Sequence, residues 1–528
     1  MESLETVVLI GVLLIGGSLV APRLRVPTPL VFLVLGLLVG FIPAVREIHL
    51  PSEAVLVLFL PALLFWESLT TSLREIRRDL RGILLLSTLL VVATAFGVAG
   101  LGVVFGMSWG AALILGAALA PTDATAVAAM ARSLPHRNMT VLRAESLIND
   151  GTALVLFSIA VGVAVGNVDY TGWSTTWLVV VAYVGGGLIG FTAAWAASFL
   201  LRRLQAPLVL STTLLVIPFL AFLVAELIHA SGVIAVVVAG LFMTQTGPRA
   251  STAESRQQTI GFWTVATFIL NGALFVLIGI EAQSAVRAVD SGQVWPLVML
   301  AVAAWIGLML IRFAFQMMSV WLIRLLDRRP SQRARRMPHR ARVVSAVAGF
   351  RGAVSLAVAL AVPLTFATGE VFPGRDQIIF VAAGVVLLTL VVQGVLLPPV
   401  LRWAQFAPDH SIDDELVAAH RASTAAAVDA VDELGDALGI TGPVRARVLA
   451  EYRDRLAVVN ADAGDAGDRS LIEQDREEVA LRLAVLERKR DVMIALRDRH
   501  AISDTTLITM QARLDREELR LTQPDVLE

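Results

Sequence analysis

A chain of 528 residues in which 56% are hydrophobic and 16% charged, with a mean hydropathy of +0.75, is too apolar for a soluble globular protein. It contains no cysteine, which excludes disulfides and thiolate metal sites. The formal net charge of −1 identifies no partner, because it averages two regions: residues 1–405 are almost all apolar runs, and residues 409–528 are rich in Asp, Glu and Arg. The prediction is an all-α polytopic membrane protein with a helical soluble tail.

Crossing the hydrocarbon of a bilayer takes roughly 20 helical residues. Thirteen segments qualify in chain order, at 4–21, 28–44, 53–72, 82–105, 109–131, 144–166, 173–200, 208–228, 231–245, 258–282, 294–325, 342–367 and 376–402. MESLETVV leads into the first without a small-residue cleavage site, so that segment reads as a retained span and not a removable signal. Connections after odd-numbered spans carry Arg23/Arg25, Arg74/Arg77/Arg78/Arg81, Arg132/Arg137/Arg143, Arg202/Arg203, Arg249/Arg256 and a cluster from Arg324 to Arg342. Those after even-numbered spans carry Arg46, Arg287 and Arg375 alone. Basic residues stay on the cytoplasmic side, which puts the N-terminus outside the cell membrane and the tail in the cytoplasm.

Two spans are interrupted. Span five has Ala120-Pro121-Thr122-Asp123 at its middle, where proline removes a backbone donor and crowds the preceding turn. Span twelve has Gly349-Phe350-Arg351-Gly352. Irregular backbone at membrane depth is tolerated inside protein or beside a water-filled cavity. Six spans, a linker and six more would make these breaks equivalent positions of two inverted repeats, the best sequence pointer to a transporter's binding site. The plainer alternative is that Pro121 kinks a helix and Gly352 permits close packing; the charges beside both breaks argue for the site.

Asp123 and Asp150 are acids inside apolar runs, and such residues mark cavities, partners or ion paths. Span five runs inward, so Asp123 lies ~13 Å from the cytoplasmic end, and Asp150 lies ~9 Å in on the outward-running span six. Carboxylates of adjacent spans thus meet at similar height. Burial favours a carboxylate's protonated form and a bound cation its ionised form, so Asp150 can take proton and ion alternately. A hard cation suits a cage of oxygens from Asp150, Thr122, Asp123 and Ser146. The alternatives are an N-cap role for Asp123 and a structural buried pair for Asp150.

The segments A-E-S-L-I-N-D-G at 144–151, T-D at 122–123, F-I-L-N-G-A-L-F-V-L-I-G at 268–279, G-F-R-G-A-V-S-L-A at 349–357 and L-V-V-Q-G-V-L-L-P-P-V at 390–400 resemble the monovalent cation/proton antiporters. The likeness is to the branch holding bacterial sodium/proton antiporters and animal sodium/proton exchangers. It implies a thirteen-helix fold, with a core containing crossed, unwound helices five and twelve and a dimerisation domain that makes a homodimer. It implies exchange of Na+ for H+ at Asp150, with Ser146 and the Thr122 backbone as ligands and Asp123 acting nearby or through water. Electrogenic relatives carry two adjacent acids where this chain has Asn149-Asp150, which implies electroneutral one-for-one exchange. Glu145 and Arg351 resemble the family's buried structural pair. Glu67 falls in a span-three region where relatives carry an ion-reaching acid, with an off-by-one register; pairing with a cytoplasmic Arg such as Arg74 is its alternative. Arg312 is an intramembrane cation with no nameable partner, and Asn271 reads as a helix-packing amide.

The tail shows helix patterns near 412–438, 443–460, 469–499 and 504–521, the last opened by Ser503 ahead of Leu507, Met510 and Leu514. Helical packing is its expected role, with regulation the alternative. There is no nucleotide-binding loop, metal motif or nucleic-acid patch, so no cofactor or nucleic acid is expected. The few His residues lie mostly at span ends or in the tail, so hydrolytic chemistry has no support. Two other readings of the membrane acids remain: a K+/H+ exchanger of the same fold, and a cation channel, which paired helix breaks suit less well than alternating access.

Overall fold

The structure, a computed structural model, describes residues 2–24, 26–46, 52–131, 134–165, 172–203, 207–250, 252–326, 338–363, 365, 372, 374–407, 409–462, 469–499 and 501–522. Arg25, Arg132 and most of the cluster between Arg324 and Arg342 lie outside these residues, as does the 463–468 linker of the tail. The chain divides into two compact units, Met1–Pro408 and Asp409–Glu528.

The first unit is helical throughout its main elements. They are α1 (Glu2–Leu24), α2 (Thr28–Val39), α3 (Ser52–Leu69), α4 (Leu73–Val104, with a π-helical turn at Leu85–Leu89), α5 (Trp109–Leu119), α6 (Ala124–Met130) and α7 (His136–Val165). There follow α8 (Gly172–Val180, a π-helical turn Val181–Gly185, then Gly186–Arg203), α9 (Pro207–Leu227), α10 (Gly232–Ala250), α11 (Ala253–Ala288) and α12 (Ser291–Leu326). Last come α13 (His339–Val347), α14 (Ala353–Leu360) and α15 (Arg375–Ala404, π-helical at Thr389–Gln393). Among the described residues, eight helices are long and apolar enough to cross a membrane. Four shorter apolar helices accompany them, at Thr28–Val39, Val57–Leu69, Trp109–Leu119 and Gly232–Gly247. The protein is a multi-pass membrane protein whose main elements, among the described residues, are all helices.

Helix ends depart from the hydropathy reading where helices carry polar turns. α4 begins at Leu73 and not near 82, because an amphipathic stretch, capped by the Ser72 hydroxyl accepting from the Glu75 amide at 3.4 Å, precedes the apolar run. α7 likewise starts at His136, two turns before the expected 144. A hydropathy window sees only the part in hydrocarbon and misses helix that continues beyond it. The segment expected at 342–367 is two separate helices, α13 and α14.

Helices pack through small residues, as bilayer-embedded helices do when lipid tails are as apolar as leucine. Gly190 of α8 lies so close to α10 that a Cβ there would sit 2.1 Å from the Ala235 carbonyl oxygen. The buried apolar side chains form two large clusters. One, through Leu115, Val276, Phe350 and Val385, surrounds the broken helices; the other, through Phe65, Ala194, Ala221 and Val236, joins α3 to α8, α9 and α10. α7 contributes to both, with Phe157 in the first and Leu147 in the second.

The second unit has four helices, α16 (Ser411–Ala437), α17 (Gly442–Asp462), α18 (Arg469–Asp498) and α19 (Asp504–Thr522). The Ser503 hydroxyl accepts from the Thr506 amide at 3.1 Å, and Leu507 and Leu514 of α19 are buried. α18 and α19 are further joined by Arg490, which pairs with Asp515 at 2.6 Å and with Glu518.

Candidate functional site

Helix α5 stops at Leu119 because Pro121, two residues on, has no amide to continue the ladder. α6 restarts at Ala124 with Asp123 as its N-cap (φ −103°, ψ 107°): Asp123 Oδ1 accepts from the amides of Thr125 at 2.8 Å and Ala126 at 3.3 Å. Asp123 thus takes the N-cap role. The Asp123 amide in turn donates to the Phe350 carbonyl at 2.9 Å, within the second break. The α14 N-cap, Gly352, has no side-chain cap of its own, and a Cβ on it would fall 1.8 Å from Asp123 Oδ2. Only glycine lets the two breaks approach so closely. One carboxylate therefore serves α6 and lies against the start of α14, where helix dipoles favour negative charge.

Arg351 does the opposite job. Its Nε donates to the Leu119 carbonyl at 2.9 Å and its Nη1 to the Gly349 carbonyl at 2.6 Å, satisfying oxygens left open where α5 and α13 end. Ser355 Oγ donates to the Pro121 carbonyl at 3.4 Å; Thr389 Oγ1, 2.8 Å from the Val386 carbonyl of its own helix, also lies 3.2 Å from the Arg351 carbonyl.

Helix α7 presents its polar residues to this crossing. Glu145, Ser146, Asn149 and Asp150 follow i, i+1, i+4, i+5 spacing and so share one side of the helix; all four are buried. Ser146 Oγ donates to the Thr122 carbonyl at 2.8 Å, and Asn149 Nδ2 donates to Thr122 Oγ1 at 2.7 Å. Thr122 is thus held at both its carbonyl and its hydroxyl. Asp150 is 2% exposed, and its Oδ1 has no hydrogen-bond partner; Asn149 Oδ1 is unpartnered as well. An orphaned buried carboxylate oxygen costs free energy unless something charged or protonic visits it.

The expected ion pair of Glu145 with Arg351 is not formed. Glu145 binds Arg312 instead, in a bidentate pair with Nη1–Oε1 at 2.5 Å and Nη2–Oε2 at 2.9 Å, and Arg312 Nε adds a bond to the Ser345 carbonyl at 2.9 Å. The cause is packing. Two arginines compete for one acid, and Arg351 is already directed at the backbone carbonyls of the breaks, leaving Arg312 to span α12, α13 and α7. Sequence reading found Arg312 but no partner for it. A small cavity beside the pair gathers Thr94, Thr122, Glu145, Asn149, Arg312 and Arg351. Thr94 on α4 was not singled out in the sequence, where it looks like one more residue of an apolar span.

Glu67 at the end of α3 makes no salt bridge among the described residues, so pairing with Arg74 is not seen; it lies within electrostatic reach of Asp123, Asp150 and Arg143. Asn271 on α11 is half-buried. Among the described residues no three His, Cys, Asp or Glu side chains gather as a metal cluster. Ser146, Asn149 and Thr122 bring hydroxyl, amide and carbonyl oxygens together here, a donor set that suits a hard cation.

A family model described as "Sodium/hydrogen exchanger, transmembrane" matches residues 9–403. An uncharacterised Na+/H+ exchanger of Mycobacterium tuberculosis is 41% identical over 510 residues, covering 96% of this chain and 94% of that one. A sodium, potassium, lithium and rubidium/H+ antiporter of Bacillus pumilus is 33% identical, over 71% of this chain and 57% of its own length. The solved sodium/proton antiporter MjNhaP1 of Methanocaldococcus jannaschii superposes with a TM-score of 0.59 at 19% identity, over 77% of this chain and all of that one. That last likeness is one of fold.

Proposed function

Since the chain belongs to the sodium/hydrogen exchanger family, whose members are transporters, we propose that it exchanges Na+ for H+ at Asp150 by alternating access. The observation that carries this reading is Asp150 itself: a buried carboxylate with an unpartnered oxygen, on the side of α7 that meets the broken helices.

Sodium is the cation in the family description and in the Mycobacterium tuberculosis relative's name, so the potassium reading is not favoured. Ser146 Oγ and the Thr122 carbonyl, already 2.8 Å apart, supply two oxygens for Na+, and Asn149 Oδ1 is free to supply a third. Asn149 also holds the Thr122 hydroxyl and so positions the loop of the break. A proton on Asp150 neutralises the carboxylate and removes its pull on Na+; Na+ displaces the proton by the same competition. Asp123 is already engaged by two amides of α6 and acts as a fixed cap that sets the break, which favours one titrating carboxylate and electroneutral one-for-one exchange. Glu67, within electrostatic reach of Asp123 and Asp150, is the acid we assign to passing the ion or the proton to them.

The same reading takes thirteen spans with two inverted repeats. It places the N-terminus outside and the tail in the cytoplasm of a bacterial-type plasma membrane, with the exchanger a homodimer serving pH homeostasis. The crossing of the two breaks supports alternating access over a channel. Everted vesicles containing the protein test the core claim: adding Na+ should release accumulated protons, Asp150→Asn should abolish that release, and normal release by the variant would overturn the assignment.

A further inference from the structure

Beside Asp150, α7 meets α10 along a seam that is almost wholly apolar. Leu147 packs in the same cluster as Val233 and Val236 of α10. At Gly151 the helices come closer still, since a Cβ there would lie 3.0 Å from Ile234 Cγ1 and 3.7 Å from Val233 Cγ1. Such a surface has no directional contact to set its register, and packing of this kind tolerates sliding.

One contact breaks the pattern. Tyr183 Oη and Thr152 Oγ1 are 2.6 Å apart, and among the described residues theirs is the one side-chain hydrogen bond between α7 and α8–α10. Thr152 also donates to the Ile148 carbonyl at 3.1 Å, one turn back on its own helix. With both bonds made, the one Thr152 proton goes to Ile148 and Tyr183 is the donor to Thr152. Tyr183 sits in the π-helical turn Val181–Gly185 of α8, and the Ala182 carbonyl accepts from the Ser231 amide at the start of α10, at 3.2 Å. Such turns insert a residue into a helix and recur at functional sites. Here the turn anchors α8 to α10 and aims a phenol at the residue two positions from Asp150.

We propose that Tyr183 is a positioning residue of the exchange cycle: its hydroxyl latches α7, and Asp150 with it, to α8–α10 in the state seen here, and the latch opens when α7 moves. The inference rests on the alternating-access reading above. A neutral hydrogen bond across an otherwise apolar seam shifts a two-state ratio about fivefold, enough to set the resting population without locking it. Turnover then depends on that ratio, because the latch must be released and remade in each cycle.

The cysteine-free chain makes the test direct. Spin labels at Val163 on α7 and Leu188 on α8, both exposed, report the distance between the helices in the full-length protein in nanodiscs. Tyr183→Phe and Thr152→Val each delete one hydroxyl and keep its shape. Each should move the ratio of distance populations about fivefold in the same direction, with unchanged thermal melting, and the double variant should move it no further. Either variant alone suffices if the other folds poorly. Unchanged populations, or additive shifts in the double variant, would overturn the latch. The distance readout needs no transport, so a failed Asp150 assignment would appear separately, as normal flux in Asp150→Asn.

Discussion

Glu145 and Arg312, 167 positions apart, form a fully buried bidentate pair with bonds of 2.5 and 2.9 Å. The pair fastens α7, which carries Asp150, to α12, and through Ser345 to the first half of the broken span. Arg351, nearby, is held by carbonyls and not by the acid. The two arginines therefore differ in what their loss would do.

Removing one member of the buried pair strands the other charge, at a cost of about 3–5 kcal/mol. Arg312→Ala and Glu145→Ala should both lower the melting temperature of the purified protein sharply and reduce its yield. Arg312→Lys should recover only part of the loss, since an ammonium cannot make the two parallel bonds. Wild-type melting of both alanine variants would show that the pair contributes nothing.

Asp150→Asn keeps the shape of the side chain and removes its titration. Folding should be intact by melting and gel filtration while Na+-driven proton release is lost. Retained release would move the shared site elsewhere.

Gly352→Ala places a methyl 1.8 Å from Asp123 Oδ2, so Asp123 must leave its cap or the two breaks must separate. A lost N-cap costs about 1 kcal/mol, and the displaced loop also carries Thr122. The expectation is a modest fall in melting temperature with near-complete loss of exchange. Asp123→Asn, which can still cap α6, should melt like the wild type; a fall as large as that of Asp123→Ala would show that the charge, and not the cap, is what α6 needs.

If proton and Na+ share Asp150 alone, acidifying the side from which Na+ binds raises the half-saturating Na+ concentration, because protonated Asp150 binds the cation poorly. In the range where the proton dominates, one pH unit should raise that concentration about tenfold, equivalent to about 1.36 kcal/mol. Under the same stoichiometry, a tenfold Na+ gradient balances one pH unit at any membrane voltage. Vesicles clamped at different potentials should therefore give one reversal point. A reversal point that moves with voltage would reject one-for-one exchange and make Asp123 a second carrier.

Much of this was legible in the chain itself. Apolar run lengths and the total charge pattern identify a polytopic helical membrane protein, because hydrocarbon tolerates neither unpaired backbone nor stray charge. Pro121 and the glycines flanking Arg351 mark the two breaks by removing backbone donors and side chains, and Asp123 and Asp150 stand out because acids are rare at such depth. These are local properties, decided within a turn or two of each residue.

Pairing is not local, and there the tertiary structure decided. Whether Glu145 takes Arg312 or Arg351 depends on which helices become neighbours and which carbonyls each guanidinium meets first. Asp123 as a cap facing Gly352, the unpartnered oxygen of Asp150 and the bond from Tyr183 to Thr152 arise the same way. A sequence lists the groups that burial makes costly to leave alone; only the packing of distant helices determines which of them satisfy one another, and which one is left without a partner.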